Sequence, residues 1–167
     1  WDRDTDIFYV IREFRQRMTT PADHCQVIRK WGDTYWVWPH DGYQHDKGSG
    51  IQLAKQYKNN GLHIHPSHVT FDDGTNGVEA GIFDMLTRMN EGRWKVFSTC
   101  PQWMEEFRLY HRKEGLIVPV MDDLICASRY ALMGRRFARA RVRRDFWERA
   151  GRRGLTALGT GEVPLSY

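Results

Sequence analysis

The sequence predicts an α/β fold, a mixed β-sheet flanked by helices. Three observations lead there. After residue 20, short apolar runs of strand character alternate with longer runs of helical periodicity. Residues 7–14 (IFYVIREF) are β-branched and aromatic and follow an aspartate-rich turn, as the second arm of a hairpin does. The composition, 41% apolar and 13% aromatic over 167 residues, suffices for one compact core. An antiparallel ribbon followed by parallel β-α-β units makes the sheet mixed.

The chain opens in mid-hairpin, with Asp2, Asp4 and Asp6 as turn residues between a strand ending at Trp1 and the run 7–14. Thr20-Pro21 with Asp23 marks a helix start, Ala22, Cys25 and Ile28 share one face, and Gly32 stops it. Residues 35–38 are a short aromatic strand ended by Pro39, which leaves His40, Asp41 and Gly42 at its carboxyl end. Ser49 and Gln52 form a capping-box pattern ahead of Leu53, Ala54 and Tyr57, and Asn60-Gly61 ends that helix. Residues 62–65 give a second strand. Asn76 and Glu79 repeat the capping pattern before Ile82, Phe83, Leu86 and Met89, with Gly92 as the stop. Residues 94–97 are a third strand, and Pro101 opens a helix with Trp103, Phe107 and Tyr110 on one side and Gly115 at its end. Residues 116–120 are extended. Asp122 or Asp123 then caps a last helix that carries Leu124, Ile125 and Leu132 and runs on into an arginine-rich stretch, with a break at Gly134.

The charge is placed unevenly. From Gly134 onward nine arginines face three acidic residues, +6, whereas the rest of the chain holds 16 basic and 18 acidic residues, −2, within a total of +4. A near-neutral body of residues 1–139 therefore carries a basic helix end and a glycine-rich, flexible tail, residues 140–167, suited to phosphates, an acidic partner or solvent. No stretch approaches the ~20 apolar residues of a membrane helix, and WDRDTD lacks the core of a secretory signal, so a soluble protein is expected. Cys25, Cys100 and Cys126 stand apart, without the spacing of a zinc site or a disulfide framework, and a reducing compartment is the default.

Ligands of open parallel sheets bind beyond the carboxyl ends of strands, where Asp41 lies. Asp122 and Asp123 start a helix that can reach the same edge. Carboxylates converging there suit hard dications such as Mg²⁺ or Mn²⁺ and phosphodiester cleavage. The plainer readings are a turn at Asp41-Gly42 and a helix cap at Asp122 or Asp123. His63, His65 and His68 read as strand and loop histidines rather than metal ligands. Asp72-Asp73 reads as a turn. Lys47, in a KGSG turn before a helix, and Arg135, Arg136, Arg139 and Arg143 are the candidate DNA-backbone contacts.

Taken together, WVWPHDG (36–42), DKGSG (46–50), NGVEAGIFDML (76–86), WKVFS (94–98), EFRLYHRKEG (106–115) and MDDLICASRYALM (121–133) resemble the C-terminal nuclease domain of phage large terminase subunits, particularly those of short-tailed headful-packaging phages. The resemblance reaches to about residue 139. It implies an RNase H-like (retroviral integrase superfamily) fold and cleavage of concatemeric genomes with two divalent ions, Mg²⁺ or Mn²⁺. Asp41 matches the second acidic position of the family, and Asp123, with Asp122 close behind, the last; many relatives carry a further Asp where this chain has Cys126. The first acidic strand and the ATPase motor domain have no counterpart here, which implies part of a longer subunit that binds metal weakly and cleaves poorly alone. The implied partners are double-stranded viral DNA, portal protein, the small terminase subunit and the motor domain of the same subunit, in the host cytoplasm at the procapsid portal. Two other readings stand beside this one: a docking module whose basic C-terminal region binds portal or DNA, and a resolvase-like or integrase-like nuclease of the same fold.

Overall fold

A computed structural model describes residues 1–138. Strand β1 (Phe8–Val10) pairs in parallel with β4 (Trp94–Val96), with Phe8 opposite Trp94. Strand β2 (Tyr35–Trp36) pairs in parallel with β3 (His63–Ile64) through the crossover helix α2 (Leu53–Asn59), the expected β-α-β unit. Strands β5 (Arg112–Lys113) and β6 (Leu116–Ile117) form a small antiparallel hairpin. Helices α1 (Pro21–Ile28), α3 (Val78–Asn90), α4 (Pro101–Leu109) and α5 (Asp123–Met133) complete the fold.

Two apolar clusters organise these elements. The larger joins β1 and β4 to α3, α4 and α5 through Phe8, Met85, Trp94, Cys100, Trp103, Leu124, Ile125 and Leu132, with Phe8 stacked on Trp94 at 5.3 Å. The smaller joins β2 and β3 to α1 and α2 through Cys25, Ile28 and Leu62, edged by Phe14, Trp36 and Tyr57. The segment that follows α5 connects them: Gly134 lies so close to Val37 that a Cβ there would sit 2.6 Å from a valine methyl, and the Phe137 ring packs at a tilt on His65 at 4.1 Å.

Several local expectations are corrected. The strands form three two-stranded pairs rather than one continuous mixed sheet. Only residues 8–10 of the run 7–14 are strand, because Glu13 and Arg15 are drawn onto the heads of α4 and α5. The opening hairpin is a single Asp2–Ile7 bridge, in which Asp2 accepts from Thr5 and Asp6 pairs with Arg88 and Arg93. Helix α2 starts after Gln52 without a side-chain cap, since the Ser49 hydroxyl donates to Asp46 instead. Helix α3 starts after Gly77, not Asn76, and its inward face is Ile82, Met85 and Met89, with Phe83 at 71% exposure. Helix α4 ends at Leu109, not Gly115, because Glu114-Gly115, both at positive φ, make the two-residue turn of the β5–β6 hairpin. The Thr20 cap is as read: its oxygen accepts from the Asp23 amide at 3.2 Å. The basic helix end and tail, including Arg139 and Arg143, lie outside the described residues.

Candidate active site

Asp41 occupies a 3₁₀ turn, His40–Tyr43, just past the carboxyl end of β2. The turn is closed by the Gln44 amide donating to the Asp41 carbonyl at 2.9 Å, while the Asp41 side chain points to solvent and, among the described residues, engages no hydrogen bond or ion pair. Its position is fixed from below. The Trp38 indole N–H donates to the His65 carbonyl at 2.7 Å, and the indole ring lies against Gly42. A Cβ on Gly42 would come within 2.3 Å of that ring and 3.2 Å of Ala54. Gly42→Ala is therefore expected to destabilise the fold by about 1–3 kcal/mol through overpacking and to shift the turn that carries Asp41. Urea denaturation measures the first effect; an unchanged midpoint would show that the indole yields freely.

The head of α5 presents Asp122 and Asp123, the first half-buried and the second exposed. Asp122 occupies the N-cap position, yet its side chain makes no capping bond. The amides of Leu124 and Ile125, which an N-cap would normally satisfy, donate instead to Glu106 Oε2 of α4 at 2.7 and 3.1 Å. That removes the plainer reading of Asp122 and Asp123 as caps. Glu106 is fully buried, and its other carboxylate oxygen accepts from Arg15. Sequence reasoning missed this residue, though a signal existed. Glu106 lies three residues after Trp103 and four before Tyr110, on the apolar stripe of α4, where a charged group must have buried partners.

Behind Asp122, Cys126 Sγ donates to its Oδ2 at 3.4 Å. Burial first, then the negative charge of Asp122, pushes the Cys126 thiol up to about 11, from an ordinary value of 9.0. The Tyr110 hydroxyl, buried and without a partner among the described residues, is pushed up to about 12, chiefly by burial. Arg129, 2% exposed, reaches the Asn76 carbonyl at 2.9 Å and lies over the Tyr130 ring, its stem pressed against Gly81. Two consequences of the thiol follow. At pH 8.5 Cys126 should alkylate more slowly than an unperturbed thiol, since less of it is thiolate; Asp122→Asn restores only part of the rate, because burial is the larger cause. An acid whose value is raised by folding stabilises the fold while protonated, so this contribution is complete below about pH 9 and is lost as pH rises through about 11.

The other candidate residues are placed as follows. Lys47 is exposed on a turn closed by the Ser49 amide and hydroxyl donating to Asp46. Arg135 donates to the Leu132 carbonyl and lies 3.7 Å from Asp84, and Arg136 pairs with Asp72, so both take part in internal contacts. His40 and His68 face one another and Tyr43 in an aromatic cluster, and His63 packs on Tyr35. Among the described residues, no group of three or more His, Cys, Asp or Glu side chains converges as a cation site. A mainly apolar cleft of about 410 Å³ between α3 and α4 is lined by Met85, Met89, Phe107 and Tyr110 together with His111 and Arg112.

A family model described as the terminase RNase H-like domain matches residues 1–135. The chain belongs to this family. It is 48% identical over 141 residues to the large terminase subunit of Salmonella phage P22, and 47% identical over 137 residues to that of Enterobacteria phage LP7, which covers 83% and 81% of this chain. Those stretches are 28% and 29% of the relatives, so the chain spans less than a third of their length. A solved structure of the P22 large terminase nuclease domain superposes with a TM-score of 0.77 at 48% identity, covering 83% of this chain and 73% of that one. The RNase H-like terminase fold expected from the sequence is thus the fold the chain has. Within it, the turn after β2 carries Asp41 and the head of α5 carries Asp122 and Asp123.

Proposed function

We propose that this chain is the nuclease domain of a phage large terminase subunit, a metal-dependent endodeoxyribonuclease that cuts concatemeric viral DNA during headful packaging. The observation that carries this reading is the 48% identity to the P22 large subunit and its nuclease-domain structure, which spans both Asp41 and the α5 head. The donor chemistry fits hard dications. Asp41 has a carboxylate free of protein partners among the described residues, and Asp122 and Asp123 are relieved of capping, so all three can present oxygen ligands. On this reading Asp123, foremost at the α5 head, with Asp122 beside it and Asp41 on the turn after β2, would hold Mg²⁺ or Mn²⁺; among the described residues no three such side chains converge on one point. Two ions, when bound there, would supply an activated water and stabilisation of the leaving 3′ oxygen. The chain's own part is geometric: β2 and its 3₁₀ turn present one carboxylate, and α5, anchored through Glu106, presents the others.

Double-stranded viral DNA is the substrate on this reading, with portal protein, the small terminase subunit and a motor ATPase domain of the same subunit as partners. The work takes place in the infected host cytoplasm at the procapsid portal. Docking of portal or DNA through the basic C-terminal region is the second reading; Arg135 and Arg136 belong to it and also take part in internal ion pairs, and Arg139 and Arg143 lie outside the described residues.

The test is nicking of supercoiled plasmid in Mn²⁺. Slow cleavage is expected of this chain, abolished in Asp41→Asn and in Asp123→Asn with circular dichroism unchanged. Cleavage that persists in both variants rejects the site. Preferential cutting of four-way junctions over linear duplex would instead favour a resolvase-like enzyme.

A further inference from the structure

Helix α5 has an N-terminus whose cap comes from another helix. Its N-cap residue, Asp122, makes no capping bond, while Glu106, in the last turn of α4 and 0% exposed, accepts the Leu124 and Ile125 amides and is itself held by Arg15. Helix α4 repeats the device. Its Gln102 and Trp103 amides donate to the two oxygens of Glu13, at 2.8 and 2.7 Å. The segment after β1 thus lies across both helix heads, Glu13 on one and Arg15 on the carboxylate that caps the other. A carboxylate at a helix head also complements the helix dipole, so Glu106 supplies the negative charge that a capping aspartate would have supplied.

We propose that Glu106 is a positioning residue: by capping α5 from α4 it releases the Asp122 and Asp123 carboxylates for cation binding and fixes the direction in which the first turn of α5 presents them. This rests on the cation-site reading above. Outer residues that orient ligands typically change metal affinity by about 10–100-fold when replaced. Glutamine is the informative substitution. It keeps the shape of Glu106, but one of its ends becomes an NH₂ that must face either the α5 amides or Arg15, donor against donor.

The experiment is Mn²⁺ titration of the full 167-residue chain, followed by electron paramagnetic resonance, with thermal unfolding and amide hydrogen exchange measured alongside. Glu106→Gln is expected to weaken Mn²⁺ binding about tenfold and to speed exchange at Leu124 and Ile125. Glu13→Gln, the same loss at the head of α4, should lower stability comparably yet change Mn²⁺ affinity less than twofold. Equal losses of affinity in the two variants, or none in Glu106→Gln, overturn the proposal. Should Glu106→Gln not fold, Glu106→Asp is read in its place: it keeps the charge beside Arg15 but draws the carboxylate back from the Leu124 and Ile125 amides, and an unchanged affinity has the same meaning. The double variant Asp122→Asn/Asp123→Asn separates the two levels: affinity lost there but kept in Glu106→Gln rejects the role of Glu106 alone, and affinity kept in both rejects the site as well.

Discussion

Trp103→Ala is expected to destabilise this domain by about 4 kcal/mol, within the 3–5 kcal/mol range for truncating a buried tryptophan. Trp103 is 2% exposed, stacks on Phe107 at 5.3 Å, and donates its indole N–H to Ser128 Oγ of α5 at 2.8 Å. Alanine would leave a cavity between α4 and α5 and an orphaned, buried hydroxyl, so the transfer loss and the polar penalty act together. For a domain of this size that lowers the melting temperature by roughly 10 °C. Trp103→Phe keeps the stack and loses the hydrogen bond, and should cost about half as much. A loss below about 1 kcal/mol for the alanine variant in calorimetry would mean that the two helices collapse onto the void.

Glu106→Ala comes next, with an expected loss of about 3 kcal/mol. Removing one partner of a buried ion pair generally costs about 3–5 kcal/mol because the other partner stays behind. Arg15 is 19% exposed at its side chain and can turn toward water, which places the expectation at the low end. The Leu124 and Ile125 amides have no such escape, and their exchange should rise locally while that of α3 stays slow. Urea unfolding showing less than about 1 kcal/mol of loss would mean that Asp122 rotates into the empty cap.

Much of the fold was legible because its signals are local. Thr20 with Asp23 announces α1, the aromatic and β-branched runs announce β2, β3 and β4, and glycines at positive φ close α2 and α3 at Gly61 and Gly92. What failed depends on distant partners. Ser49 and Asn76 have capping spacing, yet the Ser49 hydroxyl goes to Asp46 and the Asn76 carbonyl to Arg129. The caps of α4 and α5 come from Glu13 and Glu106, and no spacing rule announces a carboxylate 89 or 18 positions away. Asp41 could be placed at a strand end because Pro39 ends the strand pattern beside it. The release of Asp122 and Asp123 from capping could not be read, since an aspartate before a helix has one sequence pattern whether or not its side chain caps.

The remote caps also bear on how such a sequence can change over generations. A helix capped by its own N-cap residue ties that position to Ser, Thr, Asp or Asn for the sake of folding, and any chemistry there has to share the side chain. With Glu106 holding the α5 amides, the side chains at 122 and 123 are not needed as caps. The folding constraint moves to 106 and 15, which are expected to be exchanged as a pair among relatives, whereas substitutions at 122 and 123 should alter activity while leaving the melting temperature nearly where it was.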